Sequence, residues 1–242
     1  GDLRTDEYSL RSSITQVRGR WQRVLSLAAT HTVTAEGVRR TPSNLLVPGI
    51  AIASVPEGFL GEALFSRELY AELIGSHSAL GSDADFLQLH IQSERVFDFA
   101  TVWHLLLRAE VGASLVNNFS ELPGIYRFLA GGDRSVRGFA YNSLSPQQLV
   151  MRIDGSSELD RTGGRHLLVG SVEVARDLPR NLAIATFFDN GNAFNRFGDP
   201  MEYSAGVGMR YRLPVVTIGI DVAQPLSRSG SPRLHLNISP KL

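Results

Sequence analysis

The chain contains no cysteine, and its 24 Lys and Arg residues are balanced by 24 Asp and Glu residues. Without cysteine there can be no thiol catalysis and no disulfide framework. The balanced charge gives no reason to expect nucleic acid as a partner. No apolar run approaches the ~18 residues of a membrane helix, so a helical membrane protein is not expected. The opening residues 1–4 lack the basic and apolar regions of a signal peptide, so none is expected.

Alternation of apolar and polar residues runs through most of the chain, and this period is typical of β-strands. Clear stretches lie at 85–92, 103–115, 165–176, 182–189, 204–213, 216–224 and 233–242, and weaker ones at about 6–16, 20–34, 43–55 and 62–76. Turn-forming residues separate these stretches. The pattern predicts an all-β protein with about eleven strands and no amphipathic helix.

The polar faces of the predicted strands carry many charged residues. They are Arg108, Glu110, Glu173, Asp189, Arg210, Arg212 and Asp221. Charged side chains are costly to bury in an ordinary sandwich core. An apolar face backed by a charged face suits an antiparallel transmembrane β-barrel, with lipid outside and a wet lumen inside. A soluble sheet with one solvated face has the same period, and alternation alone does not separate the two.

A glycine-rich segment at 131–141 interrupts the alternation. It combines glycines, two arginines and two aromatic residues, and loops that carry such groups on a rigid scaffold often carry function. Glycine supplies backbone conformations that are barred to other residues. The candidate site residues here are Gly131, Gly132, Asp133, Arg134, Val136, Arg137, Gly138 and Phe139.

Two carboxylates are expected to face this loop. Strand parity places Glu173 and Asp189 on the polar faces of two strands that a short turn at 178–181 would make neighbours. A guanidinium group is planar and always charged, so it can bind both carboxylates at once. We therefore hypothesise that Arg137 bonds to Asp189 and Glu173. The aromatic residues expected in this cluster are Phe139, Tyr141 and Phe187.

Other chemistry finds little support in the sequence. The six histidines show no metal-ligand spacing. The segment 189–192 lacks the glutamate that closes a calcium loop, and there is no Gly-x-Ser-x-Gly elbow. No catalytic residue, metal or cofactor is expected, and the chain is not expected to be an enzyme.

Two motifs resemble those of a known superfamily. The run Val136-Arg137-Gly138-Phe139 resembles the Val-Arg-Gly-Phe/Tyr core of the lumenal loop in the outer-membrane assembly and two-partner-secretion superfamily. The segment 187–193, with Asp189 and Gly191, is similar to the Asp-x-Gly strand that faces this loop in the superfamily. The wider run 127–146 is most similar to the TamA family of translocation and assembly module proteins.

The resemblance implies a 16-stranded antiparallel barrel in the bacterial outer membrane, preceded by periplasmic POTRA domains. Residues 1–242 would form about eleven C-terminal strands of such a barrel, with an inward-folded lumenal loop at about 117–164 and without POTRA domains. In the family, the loop arginine pins the loop to the inner barrel wall. Arg137 is the residue in that place.

The resemblance also implies a function. The family helps to insert or translocate β-rich clients such as autotransporters, in contact with outer-membrane lipid and with a TamB-like periplasm-spanning partner. A two-partner-secretion transporter pore and a BamA-like insertase are the alternatives. A barrel hydrolase and a passive pore are further rivals, and alternation offers no clear Ser-His pair for the hydrolase.

Overall fold

The computed structural model describes residues 3–36, 39–54, 69–151, 157–214 and 216–240. The strands are β1 (Leu3–Arg18), β2 (Trp21–Glu36), β3 (Arg39–Ser54), β4 (Leu69–Ser76), β5 (Phe86–Ala100), β6 (Trp103–Val116), β7 (Gln147–Met151), β8 (Ser157–Arg161), β9 (His166–Leu178), β10 (Leu182–Phe194), β11 (Glu202–Arg212), β12 (Val216–Pro225) and β13 (Arg233–Pro240). Short 3-10 turns lie at Ser78–Leu80, Phe119–Glu121 and Gly124–Tyr126. Within the described ranges, no helix is long and apolar enough to cross a membrane.

Eleven of these strands form one antiparallel sheet, which confirms the fold class and the strand number expected from the alternation. Each strand pairs with its neighbour in the chain, except that β6 pairs directly with β9. The described residues between them, 117–151 and 157–165, therefore leave the sheet; we call the segment 117–165 the long loop. Strands β7 and β8 form a separate hairpin within it. Among the described residues β1 and β13 do not pair with each other, so the sheet is not closed.

Burial is inverted relative to a soluble sheet. One face, which we call the outer face, exposes apolar side chains such as Leu107, Val172 and Phe188, each at least 36% accessible. The opposite, inner face buries charged side chains, and Asp189 and Asp221 are fully inaccessible. Since large exposed apolar surfaces are costly in water, the outer face suits lipid. Strand parity read from the sequence assigned all five residues to the correct face.

The structure adds features that alternation did not reveal. Strand β5 continues to Ala100, eight residues beyond the predicted end at 92. The hairpin of β7 and β8 and the short 3-10 turns were not predicted. Residues 62–68 of the predicted fourth strand lie outside the described residues, and its remainder is β4. These pieces are short or lack a clean period, so hydrophobic patterning gives them little signal.

The long loop packs onto the inner face through an apolar cluster. Its loop members are Phe128, Ala130, Val136, Phe139 and Leu144, and its wall members are Leu167, Val169 and Ala193. Small wall residues make room for the loop. A Cβ atom added to Gly112 in β6 would lie 2.5 Å from ring carbons of Phe128. The loop thus covers the inner face as a packed element.

A charge placed on the outer face tests its contact with lipid. We expect Val172→Arg, at the centre of β9, to lower the free energy of unfolding in lipid vesicles by about 2–4 kcal/mol. Leu178→Arg lies on the same face at the strand end and should cost about 0–1 kcal/mol. Urea unfolding in vesicles measures both. Equal and small effects would mean that the outer face meets water.

Candidate functional site

The tip of the long loop is shaped by glycines with positive φ. Gly131, Gly132 and Gly138 have φ values of 100°, 105° and 105°, a region that other residues rarely occupy. The N–H of Ser135 donates to the carbonyl of Gly132 at 3.0 Å, and the Ser135 hydroxyl accepts from the N–H of Gly131 at 3.0 Å. This tight turn delivers Arg137 to the inner wall.

Arg137 is bound to Asp189 of β10 by three hydrogen bonds. Its Nε donates to Oδ2 and its Nη2 to Oδ1, both at 2.9 Å, and its backbone N–H also donates to Oδ2 at 2.9 Å. Only 2% of Arg137 and none of Asp189 is accessible. Two parallel bonds from one guanidinium to one carboxylate fix orientation as well as distance. The backbone bond fixes the loop itself, not the side chain alone.

The remaining donors of Arg137 reach β9 and β12. Nη1 donates to Glu173 at 2.6 Å and to Asp221 at 3.3 Å, and Nη2 donates to the hydroxyl of Ser171 at 3.2 Å. The guanidinium carbon lies 3.3 Å from the centroid of the Phe187 ring, a cation–π contact. All three guanidinium nitrogens are therefore occupied.

Two further arginines balance the carboxylates. Arg210 of β11 donates to Glu173 at 2.9 Å and also bonds to Asp221. Arg108 of β6 donates to Ser171 at 3.2 Å and lies 4.0 Å from Asp189. The three arginines and three carboxylates, Arg108, Arg137, Arg210, Glu173, Asp189 and Asp221, form the arginine–carboxylate cluster. Its formal charges cancel, which allows the group to be buried.

The environment keeps Arg137 charged. Burial lowers the pKa of its guanidinium, but the hydrogen bonds that it donates to Asp189 and the charges of Asp189 and Glu173 outweigh this effect and raise the pKa above its ordinary value. The loop is therefore attached to the wall by a permanent charge.

Strand register explains why these side chains meet. Asp189 of β10 lies opposite Ser171 of β9 on one side and Ser204 of β11 on the other. Glu173 lies opposite Phe187. All five side chains point to the inner face in two adjacent rows, since cross-strand partners stand directly opposite one another.

The loop backbone next to Arg137 is seated on the wall as well. The Ser204 hydroxyl donates to the carbonyl of Arg137 at 2.5 Å. A Cβ atom added to Gly138 would lie 2.8 Å from Cβ of Ser204 and 3.2 Å from N of Pro225. Glycine at this position is required both by its φ and by this close approach to β11 and β12.

The structure brings together most residues predicted for the site. Arg137 contacts both Asp189 and Glu173, as the strand parity suggests. Phe187 lies against the guanidinium. Val136 is fully buried, and Phe139 is 7% exposed in the apolar cluster.

Other predicted residues lie at the margins or outside the cluster. Asp133 reaches His235 of β13, and Gly191 permits close strand packing because an added Cβ would lie 2.5 Å from the Leu168 carbonyl. Arg134 is exposed and takes no part in the cluster. The expectation that Tyr141 packs near Arg137 is wrong.

Tyr141 is displaced by a turn that the sequence analysis overlooked. The N–H of Ser143 donates to the carbonyl of Ala140 at 3.1 Å, and Asn142 has a φ of 52°. Tyr141 occupies the outer corner of this turn and is 80% exposed. Asparagine tolerates positive φ, so Asn142 was the available signal.

Sequence reasoning also missed several members of the site. Asp221 and Arg210 were recognised as charges on polar faces but not as partners of Arg137. Ser171 and Ser204 carried no signal of their own. Their roles depend on how neighbouring strands are aligned along one another. This register is not visible in the alternation of a single strand. No group of side chains suited to hold a metal ion occurs in the part of the chain that the structure describes.

The fold and the cluster together define an outer-membrane β-barrel protein with a loop bound to its inner wall. The Omp85 superfamily domain matches residues 66–239, and the chain belongs to this superfamily. Its homologues are bacterial outer-membrane proteins, and the outer membrane is the location of this chain. The superfamily-level resemblance is thereby confirmed, while the narrower resemblance to the TamA family stays a prediction.

Individual relatives agree with this assignment. The chain is 28% identical over 165 residues to the outer membrane protein assembly factor BamA of Nitratidesulfovibrio vulgaris, which covers 64% of this chain and 20% of the relative. It is similar in structure to BamA from Haemophilus ducreyi lacking POTRA domains 1–3, with a TM-score of 0.75, 16% identity and coverage of 99% of this chain and 55% of that one.

A second structural relative is more distant. CdiB from Acinetobacter baumannii has a TM-score of 0.58 and 13% identity, with coverage of 98% of this chain and 42% of that one. The chain thus spans about a fifth of the curated relative's length and about half of the solved chains.

Removing one charge from the cluster should be strongly destabilising. We expect Asp189→Asn to lower the free energy of unfolding by about 3–5 kcal/mol, because Arg137 and its neighbours would keep an uncompensated buried charge. Asp160→Asn makes the same chemical change at an exposed position and should stay within about 0.5 kcal/mol. Urea unfolding in lipid vesicles compares the two. Equal effects would contradict the proposed importance of the cluster.

Comparing substitutions at two glycines separates the cost of backbone strain from the cost of disturbing the contact between the loop and the wall. Gly138 and Gly198 have nearly equal φ values, 105° and 108°, but only Gly138 faces atoms that an added Cβ would strike. We expect Gly138→Ala to cost about 1–3 kcal/mol more than Gly198→Ala, the extra cost arising from overpacking. Limited proteolysis within 131–141 should accelerate only in Gly138→Ala. Similar behaviour of both variants would show that the close approach is unimportant.

Proposed function

We propose that the protein is an outer-membrane assembly factor that helps to insert or translocate β-rich clients, without enzymatic turnover. The observation that carries this proposal is the long loop, which is fastened to the inner wall beside the last strand, β13. The described edges of β1 and β13 are not paired with each other. An unpaired strand edge can bind an incoming strand by β-augmentation.

The wall next to the open edge is well supported. The arginine–carboxylate cluster ties the long loop to β6, β9, β10, β11 and β12, so these strands are held together on the inner face. A strand pairing with a client must later release it, and a supported wall keeps the rest of the sheet assembled meanwhile.

A relative supports assembly of clients over export of a single protein. The curated homologue that matches 64% of this chain is named as an outer membrane protein assembly factor. This name favours a BamA-like insertase as the second candidate, ahead of a two-partner-secretion pore.

The narrower proposal is a TamA-type factor that handles autotransporters with a TamB-like partner. It is supported by the resemblance of the run 127–146 to that family, in particular Val136-Arg137-Gly138-Phe139. The client and the partner in this proposal come from the resemblance. A TamA-type and a BamA-type factor differ in the partner on which client assembly depends.

Client assembly by the complete protein tests the proposal. We expect a depleted strain to lose assembly of an autotransporter barrel, measured by its surface exposure, and the wild-type protein to restore it. Deleting the TamB-like partner should give the same loss for a TamA-type factor and little loss for a BamA-type insertase. If autotransporter and other barrel clients assemble normally after depletion, the assembly function is wrong.

Charge reversal separates folding from assembly in the same strain. Arg137→Asp alone and Asp189→Arg alone should each impair barrel folding, measured by heat-dependent gel migration, because each places like charges together. The double variant restores opposite charges and should recover part of the folding. If client assembly recovers in parallel, the cluster serves as architecture. Recovery of folding without assembly would give Arg137 a further role.

A further inference from the structure

The last strand of the sheet has one buried polar contact that sets it apart from an ordinary edge. Leu234, Leu236 and Ile238 of β13 are 64–72% exposed on the outer face. Between them, His235 points to the inner face and is only 7% exposed. Among the residues that the structure describes, strand β13 pairs with β12 alone. A buried histidine on an edge strand needs partners from elsewhere.

Those partners come from the tip of the long loop. Nδ1 of His235 bonds to Oδ1 of Asp133, and the backbone N–H of Gly138 donates to Nε2 of His235 at 3.4 Å. A backbone N–H is always a donor, so Nε2 is the unprotonated nitrogen of this ring. Nδ1 then carries the proton and donates to Asp133. One imidazole therefore holds the loop on both sides of Arg137.

A second contact leads from β13 into the arginine–carboxylate cluster. Nδ2 of Asn237 donates to Oδ2 of Asp221 at 3.1 Å. The same carboxylate binds Arg137 and Arg210. The described side-chain bonds of Arg137 go to β9, β10 and β12, so Asp221 links this side chain to β13. The inner side of the last strand thus meets the loop directly and through a shared carboxylate.

The loop is anchored independently at its other side. Nη1 of Arg108 in β6 donates to the carbonyl of Asp133 at 3.4 Å, and Asp189 holds the backbone N–H of Arg137. The segment 133–138 therefore spans the inner face from β6 to β13. Displacing β13 removes two contacts of this segment, and displacing the segment removes two contacts of β13.

We infer that His235 is a positioning residue that couples the free edge of β13 to the seating of the long loop. Such coupling is reciprocal: detaching the loop destabilises the attachment of β13 by the same free energy by which detaching β13 destabilises the seating of the loop. An edge strand without these contacts would open locally at little cost. Here its opening is linked to release of the loop.

The consequence for clients rests on the proposed function. A client strand that pairs with β13 and pulls it from β12 would also loosen the loop. Conversely, a firmly seated loop would favour the closed position of β13. The coupling itself involves only residues of this chain, so it can be tested without a client. Failure of the assembly function would leave it standing, and its failure would not affect the assembly function.

Amide hydrogen exchange of the complete protein in lipid vesicles tests the coupling. We expect His235→Phe, which keeps ring volume but removes both polar contacts, to accelerate exchange about tenfold or more in 131–140 as well as in 233–238. Leu236→Ala changes an outward side chain of the same strand and should accelerate exchange in β13 alone. Asp133→Asn, at a half-exposed position, should act like His235→Phe but more weakly.

A change in the loop, with exchange measured in β13, distinguishes coupling from local packing. Arg137→Lys keeps the charge but cannot reproduce the bonds to Asp189, and it should accelerate exchange in 233–238 although the described bonds of the Arg137 side chain all go to other strands. If Arg137→Lys fails to fold, Gly132→Ala, which strains the loop at a positive φ and whose added Cβ would meet Tyr141 of the loop, provides the same comparison. Faster exchange in the loop with unchanged exchange in β13, in either variant, would overturn the inference. Acceleration confined to β13 in His235→Phe would overturn it too.

Discussion

A permanent positive charge buried against the inner wall is the constraint on which the structure depends. Arg137 cannot lose its proton, so its burial is tolerated only where carboxylates surround it. Asp189, Glu173 and Asp221 come from three different strands, and each must be in register for the guanidinium to be satisfied. The loop can therefore occupy its position only when β9, β10, β11 and β12 are correctly paired.

The inverted faces of the sheet make this arrangement possible. Apolar side chains on the outer face gain nothing from a protein core and are stable in lipid, which leaves the inner face to polar chemistry. Such a face has no dense core of its own. The long loop supplies one, with Val136, Phe139 and Leu144 packed beside the charges. Apolar packing and ion pairing thus act at the same place, and the low local dielectric strengthens the pairing.

Much of the fold and of the candidate site could be predicted from the sequence, and the rest depended on the register of the strands. Alternation gave the strands and their faces, and parity placed Glu173 and Asp189 inward beside Arg137. Parity could not show which residues Asp221, Arg210 and His235 contact. Those contacts depend on the register of each strand against its neighbours, and the turns and the loop set that register. Tyr141 was misplaced because the turn at Asn142 was overlooked. The hairpin of β7 and β8 was missed because its strands have only five residues each.

Some strands of the sheet make many more buried contacts than others, and the position of the long loop determines which strands these are. The long loop contacts the inner face from β2, where Tyr126 meets Thr30, to β13, and the arginine–carboxylate cluster lies between β6 and β12. At the other edge, residues 6–18 of β1 are exposed on both faces, and Arg11 reaches across to Glu72 of β4 at 2.8 Å. An exposed ion pair contributes little to the free energy of unfolding. Few buried contacts mean easy local opening.

The two edges thus differ: β1 lies at the loosely held side of the sheet, whereas β13 is held by the loop through His235. Displacement of β13 would therefore disturb the loop, because both contacts of His235 would be lost.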